Sequence, residues 1–274
     1  MSRLDEAWEK FGRAEHHFRD LARKSRKWME KQANTPAAIT KTYQAEQQRF
    51  VWTFGHMPPP PRRLSLIAGD ALHNLRCALD YAAWQMVDAG TEPKPIKQRE
   101  RITYPIIWSW GVSKGDTPGK RFAGMARDKL PGVNPKFLAI VERYQPYNNP
   151  KRPPSDTQIP ADPLAVIARY ANQDKHRQVH LTVQRPATFQ CWIVEQLNCE
   201  IRLVVEFTSH PPEPETPVMH VYVRPTGNGE PDVKVRLRLD YTIAFEDGLI
   251  TDLVHHGTTL QVRTILQELA DAGL

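Results

Sequence analysis

The twenty-one residues from Leu66 to Met86 constrain the fold of this chain more than any other stretch. Leu72, Leu75, Leu79, Ala82 and Met86 recur at spacings of three and four, which predicts one helix over residues 64–87 with an apolar stripe turned to a core. At about 100° per residue, His73, Asn74, Cys77, Tyr81 and Trp84 gather on the opposite side of the same helix. A face that met only water would carry Lys and Glu. These side chains tolerate burial and make directed hydrogen bonds, so the pattern reads as a buried helix with a polar seam. The seam is a candidate site.

Other periodicities surround this helix. Trp8, Phe11, Phe18, Leu21 and Trp28 form a heptad-like seam, predicting a long amphipathic helix over residues 3–32. Its second half is crowded with Arg19, Arg23, Lys24, Arg26, Lys27 and Lys31, either an ordinary solvated face or a phosphate-facing one. Residues 41–54 are ambiguous, with Phe50–Phe54 leaning to strand. The prolines at 58–61 break the chain, and Ser65 or Asp70 can cap the seam helix after them. Residues 91–119 read as a loop around the apolar run Tyr104–Trp110, followed by short helices near Arg121–Leu130 and Pro135–Tyr144. Asn148–Pro160 reads as a Pro-rich surface loop. Asp162-Pro163 has the form of a helix start, with Asp as cap and Pro in the first turn, and that helix runs to about Arg177. Beyond it, residues 179–183, 191–194, 201–207, 218–223 and 233–245 read as strands. Val233, Val235, Leu237 and Leu239 alternate with Lys234, Arg236 and Arg238, a half-buried antiparallel pattern. A final helix is predicted, capped by Thr258 or Thr259, with Val262, Ile265, Leu266 and Leu269 as its core stripe.

The expected architecture is therefore α+β: a bundle of about four helices over residues 1–178, then an antiparallel sheet and closing helix over 179–274, packed as one compact unit. A chain of 274 residues with 40% apolar and 25% charged residues can bury a sizeable core. The net charge of +6 is compatible with an anionic partner such as RNA or a nucleotide. Three cysteines, Cys77, Cys191 and Cys199, without C-x-x-C spacing, support neither a disulfide framework nor a thiolate zinc site. The polar start and the lack of a long apolar run point to a cytoplasmic protein with no membrane partner. No cofactor motif is present.

Two segments can carry chemistry. The seam helix offers His73, Asn74 and Arg76. The Asp162 helix ends in Asn172-Gln173-Asp174-Lys175-His176-Arg177, where Asn172 and His176 share a face. Brought together, Arg76 would polarise a phosphate, His73 or His176 would move a proton, and Asn172 would orient them. The alternative is a buried network that fixes helix register. His176-x-x-x-His180 has metal-binding spacing but no third ligand, so no metal is expected. The doublets His16-His17 and His255-His256 read as surface histidines. Tyr81 and Trp84 could instead line a small-molecule site.

The segments Gly69-Asp70-Ala71-Leu72-His73-Asn74-Leu75-Arg76-x-Ala78-Leu79-Asp80, Gln145-Pro146-Tyr147 and Asp174-Lys175-His176-Arg177 resemble a group of uncharacterised bacterial and phage proteins across residues 58–180. That group brings no activity with it. A His is expected there where this chain has Tyr81, giving an Arg-x4-His pattern that resembles the motif of HEPN domains, helical bundles that include metal-independent ribonucleases. Arg76 matches the motif's Arg and Tyr81 departs from its His. Ala171-Asn172-x-x-x-His176 resembles the Arg-Asn-x-x-x-His form with its Arg replaced. The resemblance implies an RNA- or nucleotide-binding protein in which His176 would take a 2′-hydroxyl proton and Arg76 would stabilise the phosphorane. The competing expectation is a non-catalytic interaction or accessory protein, able to form a homo-oligomer, whose seam is structural.

Overall fold

A proline run followed by a strongly periodic stretch gives a sharply started helix. In the computed structural model Arg62–Asp88 forms one, α2, beginning one residue after the prolines. The structure describes residues 3–33, 39–55, 58–90, 101–107, 117–149, 162–176, 179–184, 189–206, 217–239 and 242–274. The molecule is α+β. Its helices are α1 (Asp5–Ala33), α2, α3 (Pro118–Lys129), α4 (Pro135–Arg143), α5 (Pro163–His176) and α6 (Thr251–Asp271). Its strands are β1 (Ile39–Gln44), β2 (Arg49–Phe54), β3 (Leu181–Gln184), β4 (Phe189–Leu197), β5 (Cys199–Glu206), β6 (Pro217–Pro225), β7 (Asp232–Leu239) and β8 (Thr242–Phe245). No helix among the described residues is long and apolar enough to cross a membrane.

The chain divides into two units, each built from separated segments. The helical unit takes Met1–Ala22, Arg62–His180 and Thr251–Leu274; the sheet unit takes Arg23–Pro61 and Leu181–Ile250. A single cut near residue 178 does not describe this division. The closing helix belongs with the other helices, and the 39–54 hairpin belongs with the strands.

In the helical unit α2 packs against α5 and α6, and α6 also packs against α4 and α5. Leu72, Leu75, Leu79, Ala82 and Met86 are fully buried, as the periodicity requires. Burying each of the larger ones contributes about 1.5–3 kcal/mol relative to exposure. From α6, Val262, Ile265, Leu266 and Leu269 join this core. Caps begin three helices. Thr117 accepts from Lys120 N–H on α3, and Asn134 from Lys136 N–H on α4. Asp162 Oδ1 accepts from Leu164 N–H at 2.9 Å on α5.

Two expected caps are corrected. Ser65 is buried inside α2, and Asp70 is also within the helix, because the helix starts directly after the prolines. Thr258 and Thr259 sit in the middle of α6, which begins at Thr251. Their hydroxyls donate to the carbonyls of Val254 and His255, at 2.6 and 2.7 Å, so neither is a cap. A threonine that satisfies its hydroxyl on the preceding turn can remain inside a helix.

In the sheet unit β1, β2, β6 and β5 form one antiparallel sheet in that order, beside the ladders β4–β7 and β3–β8. Phe50, Trp52, Met219, Val221 and Val223 line the sheet's core face, where Val233 of β7 and Met29 of α1 pack. Lys41 lies over the Phe50 ring and pairs with Asp232 of β7, which holds the Asp232 carboxyl below its ordinary range. Asn198 turns β4 into β5 at φ 52°, a left-handed conformation that Asn tolerates better than most residues.

Candidate functional site

Arg76 and Asp80 are one helical turn apart on α2, close enough to pair. They do so: Arg76 Nη2 lies 2.9 Å from Asp80 Oδ1, and Arg76 Nε donates to Oδ2 at 3.0 Å. Both side chains then turn to one segment, residues 101–107, which is neither helix nor strand. Arg76 Nη2 donates to Tyr104 O at 2.8 Å, and Asp80 Oδ1 accepts from Tyr104 N–H at 2.8 Å. Tyr104 is thus held through both of its backbone groups.

Gln145 completes the clamp from the end of α4. It is 1% exposed. Its Oε1 accepts from Ile107 N–H at 2.9 Å, and its Nε2 donates to Pro105 O at 2.9 Å and Val141 O at 3.1 Å. A buried segment without secondary structure leaves backbone groups that need partners. Arg76, Asp80 and Gln145 supply them. In the same Gln-Pro-Tyr segment, Pro146 is buried and the Tyr147 hydroxyl donates to Glu142 at 3.1 Å. Burial, reinforced by the Glu142 charge, pushes that phenol up.

The seam itself faces outward, which corrects the expectation of burial. His73 is exposed, Asn74, Cys77 and Tyr81 are half-buried, and Trp84 is 37% exposed. These positions lie opposite the leucine stripe, so they are turned furthest from the core. His73 Nε2 sits 3.4 Å from Cys77 Sγ, and Asn74 donates back to Asp70 O at 2.8 Å. Lys10 of α1 lies over the Tyr81 ring.

Of the site residues read from sequence, Arg76 is engaged with Asp80 and Tyr104, His73 is at the surface, and Asn172 is exposed on α5. α2 and α5 do pack side by side. His176 ends α5, but its side chain, like those of Asp174 and Lys175, lies outside the described residues, as does Arg177. Trp108–Trp110 and the 150–160 loop also lie outside them. Among the described residues no group of three or more His, Cys, Asp or Glu side chains is placed to hold a metal ion.

Two further features stand outside the clamp, and the first corrects a surface reading. His255 is half-buried, stacked on Phe18 at 4.6 Å between ring centroids, and burial lowers its pKa despite Asp252 and Glu15 nearby. The sign of this lay in position 255 falling beside the apolar stripe of α6, once the helix is started at Thr251. The other is charge on α1. Between Arg13 and Lys31 the helix carries seven Lys and Arg against three carboxylates. Arg19, Arg23, Arg26 and Lys27 are exposed along one face, beside the exposed His16. Of the carboxylates, Glu15 is already paired with Arg263 of α6.

Searches for similarity found no matching family model, no matching curated protein and no matching solved structure.

Proposed function

We propose that this chain is a non-catalytic RNA-binding protein with a HEPN-like helical bundle, and that it holds the phosphate backbone with the exposed face of α1. The observation that carries this reading is the row Arg19, Arg23, Arg26 and Lys27 on one continuous helix. With a rise of 1.5 Å per residue, their span is about 12 Å, set by the helix alone. Such a row neutralises successive phosphates and releases their counterions. The bonding of Arg76 argues against cleavage. A guanidinium already held by Asp80 and a backbone carbonyl is poorly placed to meet a developing phosphorane. With Tyr81 in place of the motif's His, the Arg76–Asp80 pair reads as a structural brace for residues 101–107.

The test is fluorescence anisotropy with a single-stranded RNA across a salt series, with EDTA present and the RNA checked for cuts. The wild type is expected to bind at low salt and to leave the RNA intact. Reversing Arg23, Arg26 and Lys27 to Glu should weaken binding and flatten the salt dependence by about 2 in log–log slope, at about 0.7 per lost contact. Binding that is absent at low salt, or untouched by the triple reversal, overturns the reading.

A further inference from the structure

The four-stranded sheet aligns Gln44, Arg49, Tyr222 and Leu203 as one rung, from β1 through β2 and β6 to β5. His220 lies two residues from Tyr222 on β6 and shares its face, away from the Phe50–Val221 core side. Cross-strand neighbours on one face are within contact distance, and here they converge on Arg49. Arg49 Nε donates to Gln44 Oε1 at 2.7 Å. Its Nη1 donates to Tyr222 Oη at 3.1 Å and lies 3.2 Å from His220 Nδ1.

Counting donors shows what is left. A guanidinium has five N–H groups and cannot accept, so His220 Nδ1 is the acceptor in its contact. Three of the five hydrogens are thereby used, all on neutral partners. Both hydrogens of Nη2 remain. Tyr222 accepts from Nη1, so its own hydroxyl hydrogen is available to a further acceptor. Among the described residues no carboxylate pairs with Arg49. A half-buried guanidinium wrapped only in neutral groups keeps its full charge and attracts an anion more strongly than one in water.

We propose that Arg49 Nη2 and the Tyr222 hydroxyl form a binding site for a phosphate group on the face of the sheet opposite the Phe50–Val221 core. The geometry favours phosphate over carboxylate. A carboxylate binds Arg best through two parallel N–H groups, and both forks are closed, since Nε and Nη1 are committed. A tetrahedral oxyanion can place one oxygen on Nη2 and another on the Tyr222 hydroxyl. The site is distinct from the α1 face and stands or falls without it. Burial and the Arg49 charge both lower the pKa of His220, which keeps its ring neutral and accepting.

The full-length protein is titrated with inorganic phosphate, uridine 5′-monophosphate and a short oligouridylate, each followed by the His220 ring signals in NMR. Saturable shifts are expected with at least one of the three, and the tightest identifies the source of the phosphate. A bound anion offsets the Arg49 charge, so the His220 titration midpoint should rise on saturation. Arg49→Gln should weaken binding at least tenfold, about the loss of one charge-assisted hydrogen bond. Tyr222→Phe, which keeps the ring, should weaken it about threefold to tenfold. The α1 triple reversal should leave inorganic phosphate binding unchanged, which separates failure here from failure of the RNA reading. The proposal is overturned if none of the three shifts His220, or if Arg49→Gln and Tyr222→Phe both bind like the wild type.

Discussion

Gln145 shows how a single polar residue can serve a fold rather than a reaction. Its amide satisfies Ile107 N–H and Pro105 O, both buried. Gln145→Ala leaves both without a partner and should cost about 2–4 kcal/mol, read from urea melts; a cost under about 1 kcal/mol would mean water takes over the role. Tyr104 gives the opposite sign. Its backbone is clamped, but its hydroxyl is fully buried with no hydrogen-bond partner among the described residues, and burial drives its pKa upward. Tyr104→Phe removes an unsatisfied donor and should raise stability by about 1 kcal/mol in the same melts. His255 couples the fold to pH. Its pKa in the folded chain is below the ordinary 6.5, so the unfolded chain binds the proton more readily. The stabilisation is complete above about pH 6.5 and is lost as pH falls below it. Melts from pH 7.5 to pH 5 should therefore show a smaller acid loss for His255→Phe than for the wild type. None of these roles is written in residue type alone. Gln, Tyr and His are used by sites and by scaffolds alike, and only their partners tell the two apart.

Elements were more legible than residues. The leucine stripe of α2, the α1 seam and the alternation in β7 each repeat one physical demand several times, so the period survives local exceptions. Asp162-Pro163 was equally readable, because a cap and a first-turn proline act locally. Asp162 accepts from the N–H groups of Leu164 and Ala165 and also receives Asn149. Asp162→Ala should cost about 1–2 kcal/mol in a thermal or denaturant melt, and Asp162→Asn much less, since the amide oxygen still caps. Equal losses for the two would show that charge rather than capping matters. The α6 start is illegible in sequence because threonine is a common cap, whereas the Thr258 and Thr259 hydroxyls bond to the preceding turn. The seam reads as interior in sequence for a similar reason. His, Asn, Cys and Tyr signal a capacity for burial, and a helical wheel gives their direction only relative to the stripe.

The whole molecule was the least legible level, since long-range grouping leaves no local mark. Residues 41–54 are ambiguous in sequence and point to no distant partner, yet β2 pairs with β6, some 170 residues further on. α6 follows six strands but packs on α2, α4 and α5. These placements predict the behaviour of a fragment ending at residue 178. The cut removes Val262, Ile265, Leu266 and Leu269, all fully buried, and so uncovers apolar surface on the remaining helices. It also removes Glu268, which pairs with Arg143 at 3.0 Å and receives the Tyr144 hydroxyl, whose pKa burial and that bond push up to about 12. At the same time Phe50 and Trp52 lose Met219 and Val221, their partners across β6. A two-stranded remnant has little stability in water by itself. Both units are therefore incomplete in the fragment. It should melt without a cooperative transition and should bind a hydrophobic dye that the full chain ignores. A peptide of residues 251–274 added in trans should restore part of the helical signal in a saturable way, because it returns the cover over α2. A sharp, dye-silent transition in the 1–178 fragment alone would show that the helices close on themselves without α6.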